Sequence, residues 1–260
     1  MGLFSPLSSN FYSIPKATIF FKPTGDLAFK LLGDADSVEI ATEIEETDRF
    51  TNESGLRTKV RTVITQIDLV LSMSLAQLSP TNRALSLLAD SVAHTQSADP
   101  AHTQEIVGGG ALGIYQLDSP FLSSLSVTDG DPTPVPYVLD TDYKIDLLGG
   151  YIQIINIPGA ADADLELTYD IDAVIASDEK DKIGIGNNSD IRGALIIRGT
   201  GDVGPNVRLK LHDVQLRPSG ARNYISETDF DIIEIEGNIF RDDTQPAGFE
   251  LGEELLLTIP

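Results

Sequence analysis

Two stretches of apolar–polar alternation near the start of the chain constrain its fold more than any other feature. Residues 37–46 and 67–75 carry apolar side chains at alternate positions, which is typical of half-buried strands, and the second stretch ends an extended run predicted for residues 57–75. The polar residues 47–54, which end at Gly55, predict an exposed loop between the two strands. In the first strand, one face carries Val38, Ile40 and Ile44, and the other carries Glu39, Glu43 and Glu45.

A short helix is predicted directly after the second strand. Ser79 can cap its free N–H groups, and Pro80 suits the first helical position because it has no N–H to leave unpaired.

The rest of the chain is predicted to be mostly strands, apart from residues 91–110, which predict a loop. With about ten strands and one helix, the expected fold is mainly β, a sandwich or barrel flanked by one short α-helix. The other predicted strands are 17–22, 111–117, 121–127, 137–146, 151–157, 165–175, 194–199, 207–216, 230–240 and a last one near the C-terminus.

Composition excludes some function classes. The formal net charge is −22, which argues against a protein that binds nucleic acid through its phosphates, but suits a surface that must not adhere to a polyanion. No cysteine is present, so disulfides and thiolate chemistry are excluded. The N-terminus lacks the pattern of a signal peptide, and no apolar run is long enough to span a membrane.

Several motifs that could indicate a ligand site have simpler interpretations. Residues 199–204 match GxGxxG, but another strand follows where a nucleotide site needs a helix, so a hairpin turn is predicted. The acidic triplets 129–131, 140–142 and 162–164 lack the ligand spacing of an EF-hand and are interpreted as turns, with weak cation binding as the alternative. No catalytic residue, metal site or cofactor is therefore expected. The three histidines, His94, His102 and His212, show no zinc spacing and no nucleophile motif.

The charged residues differ in sign from strand to strand. Three predicted strands have an acidic polar face, whereas one has a basic polar face formed by Arg208, Lys210 and His212. The simpler explanation is that any acidic protein has acidic solvent faces, but it leaves the basic strand unexplained. The carboxylates on the polar faces of three other strands are Glu39, Glu43, Glu45, Glu166, Asp170, Asp172, Glu234 and Glu236.

The order of motifs from about residue 33 to 243 resembles the tail tube (major tail) proteins of tailed bacteriophages. The first part is the acidic strand, loop, strand and SPxNxAL-type helix, here residues 79–85. The second is similar to the DYxVD…GxIxI hairpin of that family, here residues 142–146 and 149–154. The strand with Tyr169, the run 192–199 and the segments 207–218 and 232–242 complete the similarity.

This resemblance implies one tail-tube-like domain of residues 1–260 that forms hexameric rings, which stack into a hollow tube in the virion tail after assembly in the host cytoplasm. The implied partners are other copies of the chain, the tape-measure protein, the tail terminator and baseplate or tail-tip proteins, with a sheath left open. DNA passes through the lumen without specific binding, and no membrane or enzymatic activity is involved. Residues 1–15 are expected to form an N-terminal arm, 91–136 an insertion, and 248–260 a C-terminal arm.

Two surfaces are assigned on this basis. The eight strand carboxylates given above are predicted to line the lumen, where they would repel phosphates. The loop 47–59 is predicted to contact the next ring through Asp48, Arg49, Glu53, Arg57 and Lys59. The main alternative is an acidic β-sandwich module that binds a receptor or carbohydrate on a virion or cell surface. A hydrolase that uses paired carboxylates is a further alternative.

Overall fold

The computed structural model describes residues 16–51, 55–108, 112–158, 164–178, 180–201 and 204–258. The fold is mainly β, with several sheets and one short α-helix, which confirms the predicted class. The chain divides into two compact units: unit 1 is Met1–Ser91 with Ile183–Pro260, and unit 2 is Val92–Lys182. Unit 2 starts where the insertion 91–136 was predicted to start, but it continues to Lys182. The predicted N-terminal arm lies outside the described residues.

Unit 1 is built on one eight-stranded sheet. Its main path runs β2-β1-β13-β14-β15-β4-β3, and β16 also pairs with β14. The first and last strands of this path follow each other in sequence, joined only by Asp34, so the sheet curls back toward its own start. Gly33 makes this corner at φ 82°, where a Cβ would overlap the Gln77 side chain. The strands are β1 (Ala17–Pro23), β2 (Lys30–Gly33), β3 (Ala35–Thr51), β4 (Thr58–Leu75), β13 (Ile191–Gly199), β14 (Asn206–Pro218), β15 (Ile233–Phe240) and β16 (Gly252–Thr258).

The concave face of this sheet holds the core of unit 1. Apolar side chains at alternate positions of β1, β4, β13, β14 and β15 meet there, which is the packing that period two predicts. Helix α1 (Pro80–Ser86) adds Leu85 to the same cluster. The largest fully buried members are Phe21, Ile19, Leu32, Leu71, Leu75, Leu195 and Leu216.

Helix α1 begins as the sequence predicts. The Ser79 side chain accepts a hydrogen bond from the Asn82 N–H, and Pro80 occupies the first turn. The asparagine of this motif is completely buried, and its Nδ2 donates to the carbonyl oxygens of Leu32 at 2.6 Å and Gln77 at 2.7 Å. Asn82 therefore fixes the helix to the end of β2 and to the segment that follows β4.

Unit 2 has its own core between two three-stranded sheets, β7-β10-β9 and β6-β11-β8. The predicted hairpin within residues 137–157 is confirmed, since β9 and β10 pair antiparallel. The predicted loop 91–110 is wrong, because β6 lies within it and pairs with β11. The strands of unit 2 are β6 (Asp99–Ile106), β7 (Gly113–Gln116), β8 (Leu122–Asp129), β9 (Tyr143–Asp146), β10 (Tyr151–Ile154) and β11 (Leu165–Ile171), while the short β5 (Ser91–Ala93) and β12 (Asp181–Ile183) lie where the chain passes between the units.

Two further sequence interpretations are settled by strand pairing. β13 and β14 are antiparallel neighbours with Arg198 opposite Arg208, so the GxGxxG segment joins a β-hairpin, as predicted. The C-terminal segment was expected to be an arm. Instead, Gly252–Thr258 is a strand of the unit 1 sheet and pairs with residues 206–211, the first half of β14. This part of β14 is free to pair because β15 covers only residues 213–218.

Candidate functional site

The longest strand pair of the molecule extends beyond the core of unit 1. β3 pairs along its whole length with β4, while β15 covers only residues 70–75 of β4. We call residues 40–51 and 58–69 the arm. Nearly all of its side chains are exposed on both faces, including the apolar Ile44 at 51%, Ile64 at 51% and Ile67 at 54%. Ile40 and Ile44 lie on the core side of the sheet, opposite Leu71 and Ile67, as the strand alternation predicts. Both side chains are nevertheless exposed, because the strand runs past the end of the core.

The segment 47–59 was predicted to be a loop, but most of it is strand. β3 continues to Thr51 and β4 begins at Thr58, so Asp48, Arg49 and Lys59 lie in strands and Arg57 lies just before one. Glu53 lies outside the described residues. Strands are predicted from apolar–polar alternation, which arises when one face is buried. A strand pair that is exposed on both faces lacks this alternation, so its sequence predicts a loop.

Cross-strand contacts hold the end of the arm in register. Asp48 Oδ2 lies 2.6 Å from Lys59 Nζ, and Asp48 Oδ1 accepts a hydrogen bond of 2.7 Å from the Thr62 hydroxyl. The hydrogen bond from Lys59, followed by that from Thr62, lowers the pKa of Asp48. The Arg57 guanidinium lies 4.7 Å from the centre of the Phe50 ring, at cation–π distance.

Five of the predicted lumen carboxylates share the outer face of the unit 1 sheet. Glu39 lies opposite Ser72, and Ser72 lies opposite Glu236, so the two carboxylates occupy one row of that face. Glu236 also forms an ion pair of 3.2 Å with Arg217 on β14. The remaining three, Glu43, Glu45 and Glu234, are exposed on the same face.

The other three predicted lumen carboxylates belong to unit 2. Glu166 is exposed on β11, directly opposite Glu105. Asp172 follows the strand and accepts a hydrogen bond of 2.7 Å from the Ser123 hydroxyl. Since the two groups of carboxylates lie in different units and different sheets, a common surface for all eight stays a prediction.

Asp170 has a structural role that its strand position does not reveal. Its carboxylate accepts a hydrogen bond of 2.7 Å from the Ala101 N–H and a short one from the Ser124 hydroxyl. Both donors have left-handed backbones, with φ 53° and 41°, beside irregularities in the pairing of β11 with β6 and β8. The Ser124 bond, followed by the Ala101 bond, lowers the pKa of Asp170. This carboxylate therefore holds two bulges together.

The predicted basic strand is confirmed as a feature of the same sheet. Arg208 and Lys210 alternate with the inward Leu209 and Leu211 on β14, so they lie on its outer face. Arg208 forms an ion pair of 3.2 Å with Glu253 of β16. The outer face is therefore basic around β14 and acidic around β3 and β15.

A network around His102 was missed by sequence reasoning. The imidazole Nδ1 lies 2.8 Å from Asp99 Oδ2, and Nε2 lies 3.1 Å from Asp118 Oδ2. The Tyr169 ring packs 5.2 Å from the imidazole, and its hydroxyl donates to Gln104 Oε1 at 2.7 Å. The only signal was the alternation of His102, Gln104 and Ile106, which is not apolar enough to predict a strand.

The acidic triplets behave as turns where the structure describes them. Asp142 is buried and accepts hydrogen bonds from the Val138 N–H at 2.8 Å and from Asn156 Nδ2 at 2.6 Å. Asp129 is also buried and accepts from the Val135 N–H. Residues 162 and 163 of the third triplet lie outside the described residues. Within the described part of the chain, no group of three or more histidine, aspartate or glutamate side chains could hold a metal ion.

Comparison with family models and with curated proteins bears on which family the chain belongs to. A search of curated proteins finds none that matches the chain. No helix among the residues described above is long and apolar enough to cross a membrane. A model of the family described as "Protein of unknown function UCP028589" matches residues 19–253, a range that runs through both compact units. The chain therefore belongs to this family.

Proposed function

We propose that this protein is a structural subunit that assembles with copies of itself, and that the assembly is a phage tail tube of stacked hexameric rings. The arm carries the proposal. A two-stranded hairpin on its own is marginally stable in water, and an exposed edge strand with apolar side chains invites association. This arm exposes apolar residues on both faces along most of its length. An arm of this kind is best explained by a partner that covers it.

The distribution of charge supports a tube with a central channel. The outer face around β3 and β15 carries Glu39, Glu43, Glu45 and Glu234 without a basic partner among the described residues, and Arg217 pairs only with Glu236. A ring would repeat every one of these charges around its axis. The resulting potential would repel a passing duplex and leave it hydrated.

An arm-shortened variant tests the proposal. Because Glu46 lies directly opposite Ile64, residues 47–63 can be replaced by Asn-Gly, which closes a two-residue hairpin. The shortened chain should fold with an unchanged core, since the removed residues contribute nothing to it. Negative-stain microscopy and light scattering should show rings or tubes for the full chain and none for the variant.

Two outcomes would contradict the proposal. One is a full chain that stays monomeric at high concentration and moderate salt, as expected for a receptor- or carbohydrate-binding module. The other is a shortened chain that forms tubes of normal length.

A further inference from the structure

The end of the arm is a basic surface on a strongly acidic protein. The tip is defined as residues 47–51 and 55–63, and its four cations outnumber its one carboxylate, Asp48. The cations remain in excess when Glu53, which lies outside the described residues, is counted with Asp48. Apolar side chains are exposed between the charges, with Val60 at 62% and Val63 at 45%. The tip therefore combines apolar and cationic chemistry, and its cations are Arg49, Arg57, Lys59 and Arg61.

Two arginines at the tip repel each other and would be stabilised by an anionic partner. Arg49 lies directly opposite Arg61 across the ribbon. Like charges in directly opposed positions of a strand pair are destabilising. Neither guanidinium bonds to a carboxylate in the part of the chain that the structure describes. A carboxylate supplied by another molecule would turn this repulsion into attraction.

An acidic groove, opposite in charge to the tip, lies at the base of the arm. It has a volume of about 810 Å³ and opens where the apolar interior of the unit 1 sheet meets solvent. Val38, Ile197 and Leu209 contribute its apolar part. Its lining residues include one cation, Lys16, and four acidic residues, Asp34, Asp36, Glu39 and Glu254, of which Glu39 has its side chain on the outer face of the sheet.

The tip cannot reach the groove of its own chain. Ile40 lines the groove and Phe50 lies at the tip, and the strand between them is extended and paired throughout. Ten residues of strand span about 33 Å. Contact between a tip and a groove therefore requires two molecules.

We infer that the groove of one copy receives the arm tip of a second copy. The inference rests on the proposed self-assembly and names the surface that covers the arm. The groove carboxylates approach the cations of the tip, and the apolar side chains of the tip cover Val38, Ile197 and Leu209. Because tip and groove are different surfaces, each copy offers one of each, and such head-to-tail contacts generate rings or open stacks.

Site-specific cross-linking tests the contact directly, because the native chain has no cysteine. One variant carries Leu56→Cys at the tip, and the other carries Ser37→Cys in the groove lining. A bismaleimide of about 10 Å reach should give a covalent dimer in a mixture of the two variants and none with Ser37→Cys alone. Dimers from Leu56→Cys alone, with no increase in the mixture, would instead show tip-to-tip contact and overturn the inference.

Charge exchange gives the second test. Arg49→Glu with Arg61→Glu should raise the critical concentration for assembly about tenfold or more, because like charges then meet across the interface. Adding Asp36→Lys and Glu254→Lys to the same chain should bring that concentration back toward the native value. The control, Arg83→Glu with Lys144→Glu, changes the net charge equally at exposed positions outside the arm and groove and should assemble normally.

The two proposals fail in different ways. A native chain that does not assemble under any condition contradicts the proposed function itself. If the native chain assembles and the Arg49→Glu, Arg61→Glu variant assembles equally well, then self-assembly stands and the groove is not the receptor. Assembly that is lost in the tip variant but not restored by the groove substitutions would likewise place the acidic receptor elsewhere.

Discussion

His102 and Asp118 are joined by a contact of 3.1 Å between imidazole Nε2 and carboxylate Oδ2, which links β6 to the segment after β7. The other ring nitrogen faces Asp99 at 2.8 Å. A neutral imidazole can donate from only one nitrogen, so both contacts are favourable only when the ring is protonated. The hydrogen bond to Asp118, followed by that to Asp99, raises the pKa of His102.

This network should make the stability of the protein depend on pH. The unfolded histidine titrates near pH 6.5, and the folded pKa is higher. The stabilisation is therefore complete below about pH 6.5 and is lost as the pH rises through the folded value. His102→Gln should lower the melting temperature more at about pH 5.5 than at about pH 9, measured by circular dichroism.

A second variant separates the electrostatic effect from simple packing. Asp118→Asn keeps the shape of the side chain and removes its charge, so the pKa of His102 in an NMR titration should fall. An unchanged histidine pKa in this variant would show that the carboxylate is not the cause. An equal loss of melting temperature at both pH values in His102→Gln would point to packing on Tyr169 alone.

Asp170 should be needed for folding. Replacing it with Asn weakens the acceptor of the Ala101 N–H and Ser124 hydroxyl, and Lys removes it and adds a positive charge. We expect Asp170→Asn to lower the melting temperature and Asp170→Lys to lower it further or prevent folding. Glu166→Lys on the same strand is the control, because its carboxylate is exposed and should tolerate the change. A folded, fully stable Asp170→Lys protein would show that the bulges do not depend on this carboxylate.

The left-handed backbone beside Asp170 gives a separate prediction. Ala101 has φ 53°, a region that costs an L-residue roughly 1–2 kcal/mol and glycine very little. Ala101→Gly should therefore raise the free energy of unfolding by about 0.5–1 kcal/mol, after the greater freedom of glycine in the unfolded chain is subtracted. Urea denaturation measures this change, and a destabilised Ala101→Gly protein would contradict it.

Asn82 should be among the most sensitive positions of unit 1. Its side chain is completely buried and donates to two carbonyl oxygens. Asn82→Ala leaves both acceptors unpaired, and we expect it to lower the free energy of unfolding by about 2–4 kcal/mol. Ser86→Ala on the same helix removes only a local hydrogen bond to Arg83 and should cost less than about 1 kcal/mol. Similar losses in the two variants would refute this role for Asn82.

What the sequence could predict depended on where each strand lies relative to a core. The predicted strand 230–240 contains β15, which alternates apolar and polar residues because one face is buried, and Ile233 and Ile235 lie in the core. The helix was predicted from its cap because Ser79 and Pro80 act locally. β6 was missed because its inward side chains include His102 and Gln104, whose partners come from distant parts of the chain.

The candidate site was harder to predict for the same reason. The charges of the tip and the extended run from residue 57 onward could be predicted from the sequence. The strand structure of residues 47–51 could not, because pairing of Asp48 with Thr62 and Lys59 stabilises it without apolar alternation. Nor could the sequence show that Ile40 and Ile197 line the same groove, since that depends on the corner at Gly33. Asp170 has the same strand period as Glu166, and only the bulges distinguish its role from that of an exposed charge.

The last prediction concerns the acidic face in an assembled tube. Changing Glu43, Glu45 and Glu234 to Lys should leave the subunit folded, because these side chains are exposed on the outer face of the sheet. If that face lines a channel, each lysine is repeated around the ring and forms contacts with phosphates. Every such contact adds affinity that falls as salt rises. Assembled variant tubes should therefore retain double-stranded DNA at low salt and release it at high salt, whereas native tubes should not retain it under either condition, as measured by co-sedimentation.

The control for this prediction reverses three charges at exposed loop positions, Asp131→Lys, Glu227→Lys and Asp229→Lys, and so matches the change in net charge. DNA retention that is equal in the two variants would mean that total charge governs binding, and the assignment of this face to a channel would then be wrong.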